Sequence, residues 1–320
     1  MAIDALRGIA IVAMVFVDVP GRYADTPVQF RHASWSGLRL ADFVFPCFLL
    51  AAGAALGLTR HRAPVTTLVW RAARLFAIGV VLVAVKQRTI GFESGTLQLI
   101  AVAWLIGALA MRLDAPKRLV LCGAIIVGSV LIHLGGWTPS GPEAWFDTRI
   151  FGERSDLGIL CMVWASVAVI LASVAAEQTR THETWHKVRT LLAYAAVVGA
   201  VGGLGAIAGI PVIKRMWTPS YVLITVAGCF VLWALLEALL ARPRRWSEPL
   251  VALGRNALVV YVAMSLIGSL VPQPWTDWFV DSIGRATTYA GASLIWSTIV
   301  IVVLSISAMA LNRREIVIRI

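Results

Sequence analysis

Apolar residues run along this chain in blocks of membrane length, not in the narrow stripes of soluble amphipathic helices. Ten such runs fall at about residues 3–19, 38–58, 67–85, 94–111, 118–134, 157–176, 190–210, 219–241, 249–271 and 288–311. Each is near the ~20 residues that carry an α-helix across a bilayer core. Backbone groups in lipid must satisfy one another, so the pattern predicts an all-α, polytopic membrane helix bundle of about ten transmembrane helices. Small residues punctuate several runs, as at Gly199, Gly202, Gly203 and Gly205, and permit close helix approach. There is no internal repeat and no low-complexity stretch, so residues 1–320 read as a single domain.

Composition sharpens this picture. Of 320 residues, 59% are hydrophobic and 14% charged, with a mean hydropathy of +0.82. That excludes an ordinary soluble domain and a disordered chain. The net charge of +11 would point to nucleic acid in a soluble protein. Here it matches cationic cytoplasmic loops, and no nucleic-acid partner is expected. Every member of one loop set carries a cation cluster: Arg60 and Arg62, Arg112 to Arg118, Arg180 to Arg189, Arg242 to Arg245, and Arg313 to Arg319. This set is assigned to the cytoplasm, which predicts both termini inside a multi-pass protein of the plasma or inner membrane. The loops at 20–37, 135–156 and 272–287 then face outward. Cys47, Cys122, Cys161 and Cys229 lie in apolar runs without a CxxC, which argues against a disulfide framework or a cysteine metal site. The first run carries Asp4 and Arg7 and does not read as a cleavable signal.

Ionisable side chains at membrane depth mark function by default. They are densest in the first two helices and their connection, where Asp18, His32 and Asp42 occur. A carboxylate beside an imidazole can fix its tautomer and raise its basicity. Spacing alone equally allows His32 as an interfacial loop residue and Asp42 as a helix cap. Arg7, Arg71, Arg74 and Arg255 sit towards inner helix ends, where they could hold phosphates or snorkel as anchors. Arg255, beside Asn256, reads as the deepest of them. Residues 182–186, His-Glu-Thr-Trp-His, match the zinc-protease pattern, but in a cation-rich loop with no third-ligand motif, so no metal is expected. Buried Asp and Arg would also suit a transporter or flippase.

Six collinear blocks carry a resemblance. "IDALRGIAIVAMVFVD" (3–18), "FRHASWSGLRLADFVFPCF" (30–48), "GTLQLIAVAW" (95–104), "PVIKRMWTPSYVLITVAG" (211–228), "GRNALVVYV" (254–262) and the closing "NRREIVIRI" resemble the heparan-alpha-glucosaminide N-acetyltransferase family and its bacterial transmembrane glucosamine N-acetyltransferase relatives. The chain departs from the family pattern at Leu99, at Ile213, and around Ser155 to Leu160. The resemblance implies that His32 is the catalytic histidine and that Asp18 takes the neighbouring Asn/Asp position. It further implies transfer of an acetyl group from acetyl-CoA to an amino-sugar acceptor. A homodimer is implied too, although nothing in the residues demands one. O-acetylation of an envelope glycan is the competing enzyme reading.

Acetyl transfer needs a base, stabilisation of an oxyanion, and a held donor. His32 can be the base or a brief acyl carrier. Asp18 or Asp42 can orient it. Trp35, Gln98 and Lys214, with Trp217 in the same block, are expected on the outer side as substrate-binding residues. Arg7, Arg71, Arg74, Arg255 and Asn256 are expected on the donor side. Membrane lipid, acetyl-CoA and a sugar or glycan acceptor complete the expected partners.

Overall fold

The computed structural model describes residues 1–59, 62–87, 95–134, 158–242 and 244–317. Among them are twelve α-helices and no strand: α1 Ala2–Asp18, α2 Val44–Leu58, α3 Val65–Gln87, α4 Thr96–Ala110, α5 Ala115–Leu134, α6 Ile159–Thr179, α7 Thr184–Ile207, α8 Pro219–Leu239, α9 Glu248–Arg255, α10 Ala257–Leu270, α11 Gln273–Gly284 and α12 Tyr289–Arg313. Among the described residues seven helices are long and apolar enough to span a membrane, or eight if the bent pair α9–α10 is one span. The protein is thus a polytopic helical membrane bundle.

Two expectations from hydropathy need correction. The run 249–271 is not one straight helix. It breaks at Asn256 (φ −108°, ψ 30°), and the two arms are bent by 80°. Hydropathy is blind to backbone direction, so an apolar run reads the same bent or straight. Residues 272–287 are not simply a loop either. Pro272 and Pro274 mask a helix start, because proline is tolerated in the first turn, and α11 follows. Its buried residues Thr276, Val280 and Gly284 form one stripe. Trp275 and Trp278 stand 72% and 71% exposed, the pattern of a helix lying at a membrane interface. The expected outer loop 135–156, the stretch Ser155 to Leu157 and residues 88–94 lie outside the described residues.

The chain divides into two compact units: Met1–Ser34, Leu38–Phe45 and Leu240–Arg319 in the first, Trp35–Gly37 and Pro46–Leu239 in the second. In the first unit α1 packs backbone to backbone on α9. A Cβ on Gly8 would lie 2.0 Å from the Leu250 carbonyl oxygen, and one on Gly254 would lie 1.8 Å from that of Asp4. Without a hydrophobic drive between helices in lipid, such small-residue contacts supply the packing. α12 packs on α9 and α11.

In the second unit α6 is the central element, with 83% of its apolar window buried, against 17% for α3 and α5. α2 meets it through Gly53 and Gly57, where an added Cβ would lie 2.1 Å from Val169 O and 2.2 Å from Ser173 O. Arg118 is almost fully buried and ties α5 to α6 through Glu177 and through Ser173 Oγ at 3.0 Å. α7 and α8 pair at Gly202. All four cysteines are buried thiols, and the sulfurs of Cys47 and Cys229 approach to 2.9 Å.

Candidate active site

The connection after α1 is built from short 3-10 turns at Tyr23–Asp25, Val28–Phe30 and Leu40–Phe43. Its start is fastened to α11 and α12. Arg22 N–H donates to Ser293 Oγ at 3.0 Å, and Ser297 Oγ donates to the Val19 carbonyl at 3.2 Å. The Arg22 guanidinium reaches Asp277 at 3.1 Å, Asp25 at 3.2 Å and Asp281 at 2.7 Å, and stands 5.9 Å over the Tyr289 ring. The Asp281 bond, then the Asp277 bond, raises its pKa still further, so it is a permanent cation. Asp277 and Asp281 share one face of α11 at i and i+4. Sequence reasoning missed this knot because it read α11 as loop; the i, i+4 carboxylate pair was the available signal. Phe30 stacks on Phe16 of α1, with ring centroids 5.0 Å apart.

Beyond this anchor the chain brings His32 to Asp42. His32 Nδ1 lies 3.0 Å from Asp42 Oδ1. The Asp42 side chain is completely buried, while the imidazole is 40% exposed. The other carboxylate oxygen accepts N–H bonds from Arg39 at 2.9 Å and Ala33 at 3.4 Å. Arg39 also donates from Nη1 to the His32 carbonyl at 2.9 Å. Such an array of N–H donors suits a buried anion. A carboxylate only accepts, so Nδ1 carries the proton and Nε2 is the basic nitrogen of the neutral ring. Cap and orienting group had looked like alternatives for Asp42. One carboxylate makes both contacts, because Oδ2 closes the 3-10 turn while Oδ1 meets His32. Asp18 ends α1 and is exposed, and the carboxylate 3.0 Å from His32 Nδ1 is that of Asp42.

The four expected substrate-binding residues all fall in the second unit. Trp35 is 43% exposed. Its segment is joined to the 211–217 stretch by the Gly37 N–H bond to the Val212 carbonyl at 2.9 Å, where Gly37 adopts φ +104°. Lys214 opens the turn Lys214–Met216. Trp217 is fully buried and left-handed (φ 47°, ψ 42°), and Tyr221 lies T-shaped against it with centroids 5.5 Å apart. A bulky residue there stores about 1–3 kcal/mol of strain. The turn is clamped by Ile213 N–H to Thr218 Oγ1 at 3.0 Å and Tyr221 N–H to the same oxygen at 3.4 Å. Gln98 is 1% exposed. Its amide oxygen occupies a slot left by two glycines, 2.4 Å from where a Gly79 Cβ would be and 2.7 Å from that of Gly95.

The expected donor-side residues divide between the units. Arg7 pairs with Asp4 at 3.2 Å. Arg71 and Arg74 are exposed on α3. Asn256 is fully buried at the α9–α10 break. Arg255 had read as deep, but the bend leaves it exposed, with Nη1 3.0 Å from Asn312 Oδ1. In the zinc-protease-like motif α7 begins only at Thr184, so His182 precedes the helix that carries His186, their rings 4.2 Å apart. Among the described residues no three His, Cys, Asp or Glu side chains form a metal-holding group.

Residues 1–151, which include the His32–Asp42 pair, match the family model described as heparan-alpha-glucosaminide N-acetyltransferase, catalytic. Residues 175–312 match a family described as a protein of unknown function, DUF418. The human heparan-alpha-glucosaminide N-acetyltransferase is 36% identical over 191 residues, covering 59% of this chain and 22% of that protein. The mouse protein of the same name is 38% identical over 91 residues, covering 25% of this chain and 13% of its own length. The chain thus spans less than a quarter of the curated relatives that it matches. Through its first 151 residues, which hold the buried Asp42 and His32 beside it, the chain is similar to the heparan-alpha-glucosaminide N-acetyltransferase catalytic family.

Proposed function

We propose that this protein is a transmembrane acyltransferase that moves an acetyl group from cytoplasmic acetyl-CoA to a glucosamine-type amino sugar on the outer side of the membrane. The observation that carries this reading is the 3.0 Å contact of the half-exposed His32 with the fully buried Asp42. In the forward step the acceptor amine attacks the thioester carbonyl. A C–N bond forms and the C–S bond breaks. His32 Nε2 takes the ammonium proton and passes it to the leaving thiolate, so free CoA departs and the imidazole is restored. In the variant with His32 as carrier, Nε2 holds the acetyl group briefly before the amine attacks. Asp42 stabilises the positive ring in either route. Asp18 is assigned to acceptor positioning, Trp35, Gln98, Lys214 and Trp217 to substrate binding, and Arg7, Arg71, Arg74, Arg255 and Asn256 to the donor side.

The test uses the purified full chain with labelled acetyl-CoA and glucosamine. Wild-type protein is expected to release free thiol and form N-acetylglucosamine. His32→Ala is expected to lower that rate about 10²–10⁴-fold, the usual reach of a positioned base. Sugar accumulation in sealed vesicles with no thiol release would identify a transporter and sink the reading.

Sidedness belongs to the same proposal: both termini are cytoplasmic and the His32 loop faces outward. Ala24 is exposed on that loop, whereas the native cysteines are buried. Ala24→Cys should react with a membrane-impermeant maleimide in intact cells. Reaction only after permeabilisation would reverse the orientation.

A further inference from the structure

A cleft of about 360 Å³ opens in the first unit where the turn before α9, the end of α9 and the end of α12 come together. Arg244, Arg245, Arg255 and Arg313 line it, against the one carboxylate of Glu248. Among the described residues no ion pair neutralises any of these guanidiniums. Asn312 Oδ1 accepts from Arg255 Nη1 at 3.0 Å and so sets the direction of that guanidinium. Cations that only mark the cytoplasmic side need no common focus, since the positive-inside bias counts charge in loops and not its geometry. Here three separate elements converge on one concavity, whose volume falls in the range of small-ligand sites. Guanidiniums bind phosphate through paired N–H donors, and several around one cleft match a ligand with more than one phosphate oxygen to satisfy.

We propose that this cleft binds a phosphate-bearing ligand. Two sources share that chemistry: the nucleotide end of a CoA thioester and the headgroup of an anionic phospholipid. For the nucleotide source the inference rests on the acyltransferase reading, which already puts Arg255 on the donor side; its test reads binding and not acetyl transfer, so the two can fail separately.

The full chain is reconstituted in phosphatidylcholine nanodiscs and titrated with adenosine 3′,5′-bisphosphate. In a second arm it is purified from vesicles doped with cardiolipin, and bound lipid is read by native mass spectrometry. Arg244, Arg245 and Arg313 are exposed, so the combined variant R244Q/R245Q/R313Q should keep the fold. It is expected to weaken binding about tenfold or more, the loss of at least one charge-assisted contact. The control R62Q/R180Q/R189Q removes as many exposed cations elsewhere and should leave binding within about twofold. Bisphosphate binding lost in the cleft variant assigns the site to a nucleotide, and lipid retention lost in it assigns the site to a headgroup. No binding in either arm, binding unchanged in the cleft variant, or an equal loss in the control would overturn the proposal.

Discussion

Asp42→Asn is expected to slow acetyl transfer by about 10³–10⁴-fold at saturating acetyl-CoA, as in other pairs where a buried carboxylate sets a catalytic imidazole. The hydrogen bonds say why. Oδ2 of Asp42 accepts from two backbone N–H groups, those of Arg39 and Ala33. An asparagine must keep its carbonyl oxygen there, which turns its NH₂ towards His32 Nδ1. That nitrogen then has to accept, the ring proton moves to Nε2, and the basic nitrogen is lost from the side that faces substrate. The charge that would stabilise an imidazolium disappears as well. The cap survives, so thermal stability should change little while the rate collapses. Asp18→Asn is the comparison. Asp18 is exposed at the end of α1, and Asn or Asp occupies this position in the family it resembles. It should therefore retain most of the rate and shift mainly the acceptor KM. Asp18→Asn inactive with Asp42→Asn near wild type, at equal membrane expression, would exchange the two roles.

The second large effect is on stability. Gly254→Ala would place a Cβ 1.8 Å from the Asp4 carbonyl oxygen, against rigid backbone and not a flexible side-chain tip. The helices α1 and α9 must then separate, at a cost of about 1–3 kcal/mol or more. Gly8→Ala meets the same obstacle from the other helix, 2.0 Å from Leu250 O. The double variant should cost clearly less than the sum of the singles, because one separation relieves both clashes. Gly123→Ala is the control: nothing lies within 4 Å of its would-be Cβ, and alanine favours helix by up to about 1 kcal/mol. Unfolding midpoints in detergent decide the matter. Gly254→Ala as stable as Gly123→Ala would show that the contact between α1 and α9 is not tight.

Much of the candidate site is legible in the sequence. His32 and Asp42 are ten residues apart on one connection, and the short spacing limits how far they can separate. Which carboxylate meets the ring is not legible there. Asp18 and Asp42 flank His32 about equally, and the choice rests on the turn at Leu40–Phe43 that aims Asp42 inward. Trp217 is recognisable as part of a block, but its left-handed backbone and complete burial are not, since they depend on Thr218 and Tyr221 closing around it.

The sequence by itself determined that this is a helical membrane protein and roughly where its helices run. A run of about twenty apolar residues has one workable conformation in lipid, the helix that satisfies its own backbone, so local composition suffices. The tertiary structure alone decided the rest: the 80° bend at Asn256, the amphipathic helix α11 hidden among prolines and tryptophans, the carboxylate knot on Arg22 and the cleft that gathers arginines from three elements. Each depends on the direction in which a side chain points after the chain has turned back on itself. Hydropathy averages that direction away, and only packing against distant residues restores it.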